Sequence, residues 1–268
     1  MKRLDKLYIG TNTKMYKTIA DTCSFLKSLN YLTEDIPSDQ MELFVIPSYT
    51  ALPAAKDTVE DSRILIGAQN MSWEDEGQYT GEISPVMLNE IGIDLIMAGH
   101  SERRHIMGET DQEEELKIAK ALNSGFTALL CIGETMEEKL YGISDEILRI
   151  QLKIGLHSIK KNQAQNIWIA YEPVWAIGAR GIPADENYAN EKHRVIKDTL
   201  IELFGEETGT DIPVLYGGSV NPENAKKLIQ MSDIDGLFIG RSAWEADKLN
   251  AIIRSVLPLH HQKKGRKN

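Results

Sequence analysis

The amino-acid sequence predicts an α/β protein built as a single (β/α)8 barrel. Eight short apolar runs, rich in β-branched and aromatic residues, recur along the 268 residues, and segments of helical periodicity lie between them. Strands that are apolar throughout and alternate with helices indicate a parallel sheet buried on both faces. The candidate strands are 7–9, 43–46, 64–66, 95–97, 128–132, 167–171, 214–216 and 237–239.

The clearest helical segments lie at 112–122, 145–159, 187–204 and 224–229. Eight strands are the number that closes a barrel of this type, whereas a doubly wound open sheet usually has fewer strands and a Gly-rich turn after the first one. Here that turn, 10–14, reads Gly-Thr-Asn-Thr-Lys. We therefore expect one barrel domain over 1–258, followed by a flexible, polar and basic tail over 259–268.

Composition limits the classes of function. Hydrophobic residues make up 42% of the chain and charged residues 26%, and the formal net charge is −10. These values are typical of a soluble globular domain and argue against a broad basic surface for nucleic acid or an anionic membrane. An anionic small molecule would need a local positive site.

The two cysteines, Cys23 and Cys131, lie far apart in the sequence and lack the spacing of a disulfide framework or a zinc site. The sequence has no run of about 18 apolar residues, the length of a membrane span, and its start does not resemble a signal peptide. We expect a cytoplasmic protein that requires neither a metal nor another cofactor.

Candidate catalytic residues follow the apolar runs, because the carboxyl ends of barrel strands carry the active site in enzymes of this architecture. The polar groups found there are Asn12 and Lys14 after the first run, His100 with 101–104 after the fourth, Glu172 after the sixth, 217–219 after the seventh and 240–242 after the eighth. Each of them alone has an ordinary structural explanation. Their coincidence at strand ends indicates a site.

The chemistry that this set suggests is enolisation of a phosphorylated small molecule. A carboxylate such as Glu172 can remove a proton next to a carbonyl group if a donor such as His100 stabilises the oxyanion that develops. Glycine turns after the last two strands can present backbone N–H groups to a phosphate, and Lys14 adds a positive charge.

Four motifs resemble the triosephosphate isomerase family, and the match extends from about residue 8 to 244. They are Ala-Gly-His-Ser-Glu-Arg-Arg-His at 98–105, Ala-Tyr-Glu-Pro-Val-Trp-Ala-Ile-Gly at 170–178, Leu-Tyr-Gly-Gly-Ser-Val at 215–220 and Gly-Gln-Tyr-Thr-Gly-Glu-Ile-Ser at 77–84. The resemblance implies the TIM-barrel fold and a homodimer in which the loop around Thr80 reaches into the partner.

The resemblance also implies roles for individual residues. Glu172 would move the proton, neutral His100 would polarise the carbonyl, Asn12 and Lys14 would position the substrate, and 173–184 would form a closing lid. Phosphate-binding N–H groups would come from Gly178, Ser219, Gly240 and Arg241, and supporting positions would be Ser101, Glu102, Cys131 and Tyr216.

Three departures from the family pattern flank the expected phosphate and lid. Thr13 and Tyr16 replace a tryptophan and an asparagine, the lid at 178–184 contains Arg180 and Pro183 and is one residue longer, and Arg241 replaces a glycine. These features resemble a branch of the family, the L-erythrulose-1-phosphate isomerases of bacterial erythritol and related four-carbon sugar catabolism.

The favoured hypothesis is therefore a tetrulose-phosphate isomerase that interconverts L-erythrulose 1-phosphate and D-erythrulose 4-phosphate. One alternative is triosephosphate isomerase proper, acting in glycolysis. A more distant alternative is a catalytically silent phosphosugar-binding protein on the same scaffold.

Overall fold

The computed structural model describes residues 3–178 and 181–265. Its strands are β1 (Leu7–Asn12), β2 (Met41–Ile46), β3 (Leu65–Ala68), β4 (Leu95–Ala98), β5 (Thr127–Ile132), β6 (Ile167–Tyr171), β7 (Val214–Tyr216) and β8 (Gly236–Ile239). Each strand pairs in parallel with the next, and β8 pairs with β1, so the sheet is a closed barrel. The predicted (β/α)8 fold is confirmed.

Helices surround the barrel. They are α1 (Ile19–Thr33), α2 (Leu52–Thr58), α3 (Pro85–Ile91), α4 (Ser101–His105), α5 (Asp111–Asn123), α6 (Met136–Leu140), α7 (Ser144–Gly155), α8 (Glu186–Phe204), α9 (Glu206–Thr210), α10 (Ala225–Gln230) and α11 (Ala246–Gly265). Among 3–178 and 181–265, no helix combines the length and the apolar character needed to cross a membrane.

The four predicted helices are present with small shifts at their ends. The largest shift is in α7, which ends at Gly155 and not at Ile159. The turn that follows Gly155 returns Leu156 and Ile159 to the core, where both are buried. Burial of these two side chains favours a turn over continued helix.

Two layers of side chains explain why the strands are apolar throughout. Tyr8 points into the barrel, and its neighbours Leu7 and Ile9 pack against the helices. Inside the barrel, the Trp168 ring packs against Tyr8 and Phe44, with centroid separations of 5.1 and 5.4 Å. The interior is therefore a packed core, and a ligand can only enter at its ends.

The end of the chain differs from the expected flexible tail. Helix α11 extends through most of 259–268, with Pro258 inside it, and residues 266–268 lie outside the described part. His260 is fully buried, and the Lys263 ammonium donates hydrogen bonds to the carbonyl oxygens of Met231 and Ile234. Buried contacts and hydrogen bonds thus hold this basic segment against the barrel.

Asp235, which precedes β8, is the main anchor of that segment. Its buried carboxylate lies 2.8 Å from the Lys197 ammonium and 3.1 Å from the Lys264 ammonium. The carboxylate also accepts a hydrogen bond from the backbone N–H of Val214 in β7. Although burial disfavours the charged form, the lysines hold the pKa of Asp235 below its usual range.

We expect Lys264→Met to lower the free energy of unfolding by about 1–3 kcal/mol, because a buried carboxylate loses an ammonium partner. Urea unfolding at pH 7 and fixed protein concentration measures this change. The matched control is Lys248→Met on the same helix, whose partner Glu245 is exposed, and its effect should stay within about 0.5 kcal/mol. Equal effects of the two substitutions would contradict the anchoring role of Lys264.

Candidate active site

A cavity of about 390 Å³ opens at the carboxyl ends of the strands. Its lining includes nine of the predicted site residues: Asn12, Lys14, His100, Glu102, Glu172, Gly178, Ser219, Gly240 and Arg241. The other three, Ser101, Cys131 and Tyr216, do not line it, and all three are buried. The structure thus brings together side chains that are up to 229 positions apart in the sequence.

Glu172 and His100 face one another in this cavity. Oε1 of Glu172 lies 3.6 Å from Nε2 of His100, and only 4% of each side chain is exposed. Oε2 of Glu172 has no hydrogen-bond partner within the described residues. A buried carboxylate oxygen without a donor is costly unless it serves a purpose. This oxygen is available to accept a proton.

The hydrogen bond at the other ring nitrogen of His100 determines which nitrogen carries the proton. His100 is the N-cap residue of α4, and its Nδ1 accepts a hydrogen bond of 3.2 Å from the backbone N–H of Glu102. An imidazole nitrogen that accepts a hydrogen bond carries no proton, so the proton is assigned to Nε2. The neutral imidazole therefore presents an N–H donor to the cavity beside Glu172.

Two glycines allow Glu172 to lie where it does. A Cβ atom on Gly133 would collide with the carbonyl oxygen of Glu172, and one on Gly217 would lie 2.8 Å from the Cγ atom of Glu172.

Cys131 lies inside the barrel, where burial, and secondarily the charge of Glu172, raises the pKa of its thiol well above the usual range. The thiol thus stays protonated and adds no second charge beside the carboxylate.

Asn12 ends β1, and Lys14 lies in the turn that follows it. Lys14 adopts a left-handed backbone conformation with φ of 52°, and its N–H donates to Oδ1 of Asn12 at 2.7 Å. The side chain of Gln69, just after β3, donates to the same oxygen at 3.0 Å and to the carbonyl oxygen of Lys14 at 2.8 Å. These bonds stabilise a conformation that is unfavourable for lysine.

Lys14 is also paired through its side chain. Its ammonium lies 2.6 Å from Oε1 of Glu102, the residue whose N–H binds His100. Glu102 therefore connects the cation of the first strand end to the imidazole of the fourth. The family resemblance implied a supporting role for Glu102. Its two contacts, with Lys14 and with His100, could not be predicted from the sequence because they depend on the fold.

A buried carboxylate that the sequence reasoning missed, Glu134, contacts the first part of the expected lid. Glu134 is fully buried and accepts hydrogen bonds from Tyr171, Trp175 and Tyr188. The Lys139 ammonium lies 3.4 Å from the centroid of the Trp175 ring. A charged residue placed two positions after an apolar strand is the signal that could have identified Glu134.

Of the expected lid, Ala176, Ile177 and Gly178 line the cavity. Residues 179–180, and with them the departure at Arg180, lie outside the described residues. Behind the lid, the buried Tyr216 ends β7 and packs edge-on against Tyr171. Tyr216 thus supports the strand end that carries Glu172.

Trp244 is a further residue whose role the sequence did not predict. It follows the one-turn 3-10 helix Arg241–Ala243, and its indole N–H donates to the carbonyl oxygen of Asn12 at 2.9 Å. The Tyr16 ring packs against it at a centroid distance of 4.6 Å, and both rings line the cavity. The departures at Tyr16 and Arg241 thus belong to one wall of the site, whereas Thr13 is buried and does not line it.

The geometry suits the transfer of a proton between adjacent carbons. A carboxylate that can accept a proton and an N–H donor for an oxyanion lie on the same cavity, next to glycine turns. Within the described ranges, no group of three or more His, Cys, Asp or Glu side chains is placed to hold a metal ion.

Comparisons with known proteins agree with this site. A family model described as triosephosphate isomerase matches residues 7–256. A Rhizobium etli protein named L-erythrulose-1-phosphate isomerase is 46% identical over 93% of this chain and 92% of its own length. A Rhizobium meliloti protein of the same name is 43% identical over 93% of this chain and 98% of its own length.

A protein named triosephosphate isomerase, from Carboxydothermus hydrogenoformans, is 41% identical over 94% of this chain and 99% of its own length. The family-model match covers all eight strands and every residue that lines the cavity. The chain belongs to the triosephosphate isomerase family.

Proposed function

We propose that this protein isomerises a small phosphorylated sugar by moving a proton between adjacent carbons. The observation that carries the proposal is the buried Glu172 carboxylate, with one oxygen unpartnered and the other 3.6 Å from the protonated Nε2 of His100. This pair supplies a base and an electrophile, and the step needs no oxidant or reductant because the carbonyl and hydroxyl carbons exchange oxidation states within one molecule.

In this mechanism, Glu172 removes the proton from the hydroxyl-bearing carbon beside the carbonyl group. The C–H electron pair becomes the carbon–carbon double bond, and the carbonyl oxygen takes the proton from Nε2 of His100. The imidazole recovers a proton from the other oxygen of the enediol. Glu172 then returns its proton to the former carbonyl carbon, which restores the enzyme.

The remaining residues of the cavity bind the substrate. In this proposal Asn12 and Lys14 contact the reacting oxygens, and backbone N–H groups of Gly178, Ser219, Gly240 and Arg241 bind the phosphate. Closure of 173–184 over the substrate would exclude water and strengthen these interactions. Ser101, Glu102, Cys131 and Tyr216 support the residues that contact the substrate.

The favoured substrate pair is L-erythrulose 1-phosphate and D-erythrulose 4-phosphate. The names of two relatives at 46 and 43% identity support it, as do Tyr16 and Arg241 on the cavity wall. Compared with a triose phosphate, a tetrulose phosphate carries a hydroxymethyl group in place of one hydrogen. The reaction is otherwise the same, so the site must mainly provide room. Triosephosphate isomerase activity is the second candidate, supported by the relative of that name.

We further propose a homodimer formed through the loop around Thr80. The apolar side chains of Met15, Tyr79 and Met107 are exposed by 95, 48 and 67% on loops that follow β1, β3 and α4. Large apolar side chains exposed on neighbouring loops mark an interaction surface.

We also propose a cytoplasmic location. The free cysteines Cys23 and Cys131 support it, because thiols stay reduced in the cytoplasm.

Replacement of Glu172 tests the mechanism. We expect Glu172→Gln to lower kcat about 100- to 10,000-fold, because the base is lost, and Glu172→Asp about 100-fold, because the carboxylate is drawn back by one methylene. Thermal unfolding should show that both variants fold. Glu206→Gln, an exposed position at the start of α9, is the control and should keep full activity. Unchanged turnover in Glu172→Gln would exclude Glu172 as the base.

Kinetics with two substrates separate the two candidate activities. We expect kcat/KM for L-erythrulose 1-phosphate to exceed that for D-glyceraldehyde 3-phosphate by about tenfold or more, which corresponds to about 1.4 kcal/mol of transition-state stabilisation. A triose preference of the same size would instead identify the protein as a triosephosphate isomerase.

The oligomeric state is tested by sedimentation equilibrium at micromolar concentration. One chain has a mass of 30.1 kDa, so we expect about twice that value for the wild type. Tyr79→Lys places a charge in the proposed interface and should shift the mass toward that of one chain. Tyr31→Lys, at a tyrosine exposed by 73% on α1, should leave it unchanged. A wild-type mass of a single chain would refute the dimer.

A further inference from the structure

Arg241 is unusual among the charged residues of the cavity. Among the described residues, four charged side chains line it: Lys14, Glu102, Glu172 and Arg241. The Lys14 ammonium is compensated by Glu102 at 2.6 Å. The Arg241 side chain is exposed and has no hydrogen bond or ion pair with the part of the chain that the structure describes. It is therefore the uncommitted cation of the described cavity wall.

The backbone that carries Arg241 is held in place although its side chain is free. Gly240 leaves open space where a Cβ atom would lie, and the following 3-10 helix is closed by a 2.9 Å hydrogen bond from the Ala243 N–H to the Gly240 carbonyl oxygen. Trp244 ties the same turn to Asn12. A long flexible side chain thus extends from a fixed point on the cavity rim.

The charges show what this cation can do. Lys14 and Glu102 offset one another, and Glu172 is negative when it acts as a base. Without Arg241, the described side chains that line the cavity would carry a net negative charge. A phosphate dianion that enters the cavity would be repelled by this charge. Arg241 brings the charge of the described wall to zero before the ligand binds, which reduces the repulsion that the dianion would meet.

We propose that the guanidinium of Arg241 binds the phosphate group of the substrate directly, in addition to the backbone N–H groups at the glycine turns. This inference rests on the proposed function and adds to it a side-chain ligand that determines affinity for the phosphate. A guanidinium offers parallel N–H donors that match two phosphate oxygens, and it stays charged at any physiological pH. Because the side chain starts on the rim, it binds from the solvent side and folds over the ligand.

The experiment measures binding of inorganic phosphate to the full-length protein and its variants. Two readouts are used: quenching of tryptophan fluorescence, since Trp244 lies on the same wall, and competitive inhibition of turnover. The first readout requires no activity, so it tests the role of Arg241 even if the isomerase assignment fails. The variants are Arg241→Met, Arg241→Lys and Arg241→Gly.

We expect Arg241→Met and Arg241→Gly to weaken phosphate binding roughly tenfold and to raise KM by a similar factor, with kcat changed less than about threefold. Arg241→Lys should weaken phosphate binding less, by about threefold, because lysine keeps the positive charge but lacks the two parallel N–H donors of a guanidinium. The affinity lost in Arg241→Met should shrink at high ionic strength.

The matched control is Arg194→Met on α8, which removes the same charge at a side chain exposed by 70%. It should bind phosphate as the wild type does. Phosphate affinity in Arg241→Met equal to that of the wild type, or an equal loss in Arg194→Met, would overturn the proposal. A wild type that turns over no phosphosugar while Arg241→Met loses phosphate affinity would refute the isomerase function but retain this role for Arg241.

Discussion

The contact between Glu172 and His100 is the constraint on which the rest of the site depends. A carboxylate buried with one free oxygen is unstable by itself, and in water it would be solvated. The protein buries it by bringing the ends of β4 and β6 together across β5 and by excluding side chains at Gly133 and Gly217. The backbone N–H of Glu102 donates to Nδ1 of His100, so the imidazole proton lies on Nε2, the nitrogen that faces Glu172.

A second buried carboxylate, Glu134, differs from Glu172 in having hydrogen-bond donors at its oxygens. Its oxygens accept hydrogen bonds from two tyrosines and a tryptophan, so both of them are already engaged. The two carboxylates lie at the ends of adjacent strands, yet one is held by three hydrogen-bond donors and the other keeps an oxygen without a donor among the described residues. Placement of donors, rather than residue type, separates a structural carboxylate from a catalytic one.

The sequence predicted the barrel and the positions of the main candidate residues because both depend on local signals. Apolar runs identify strands whatever their partners, and a polar residue directly after such a run must lie at the carboxyl end of the barrel. Glu172 and His100 were found in this way. Gln69 and Trp244 were not, because their contacts with Asn12 join segments 57 and 232 residues apart. The helix over 259–265 was missed for the same reason. Its polar residues are typical of a solvated tail, and the sequence does not show that Lys264 pairs with the distant Asp235.

The hydrogen bond from Trp244 to Asn12 has a consequence for how the protein folds. Strand β1 is the first to be synthesised, but it gains its second neighbour only when β8 is added. Asn12 acquires the Trp244 contact at the same step, and that contact is among the longest in sequence separation in the molecule. Because the β1–β8 pairing and the Trp244 hydrogen bond both require the last strand and the turn after it, the barrel cannot close and the site cannot be completed before these segments are present. A nascent chain that lacks its last strand has the base and the imidazole but not the finished turn that holds Asn12 and Lys14.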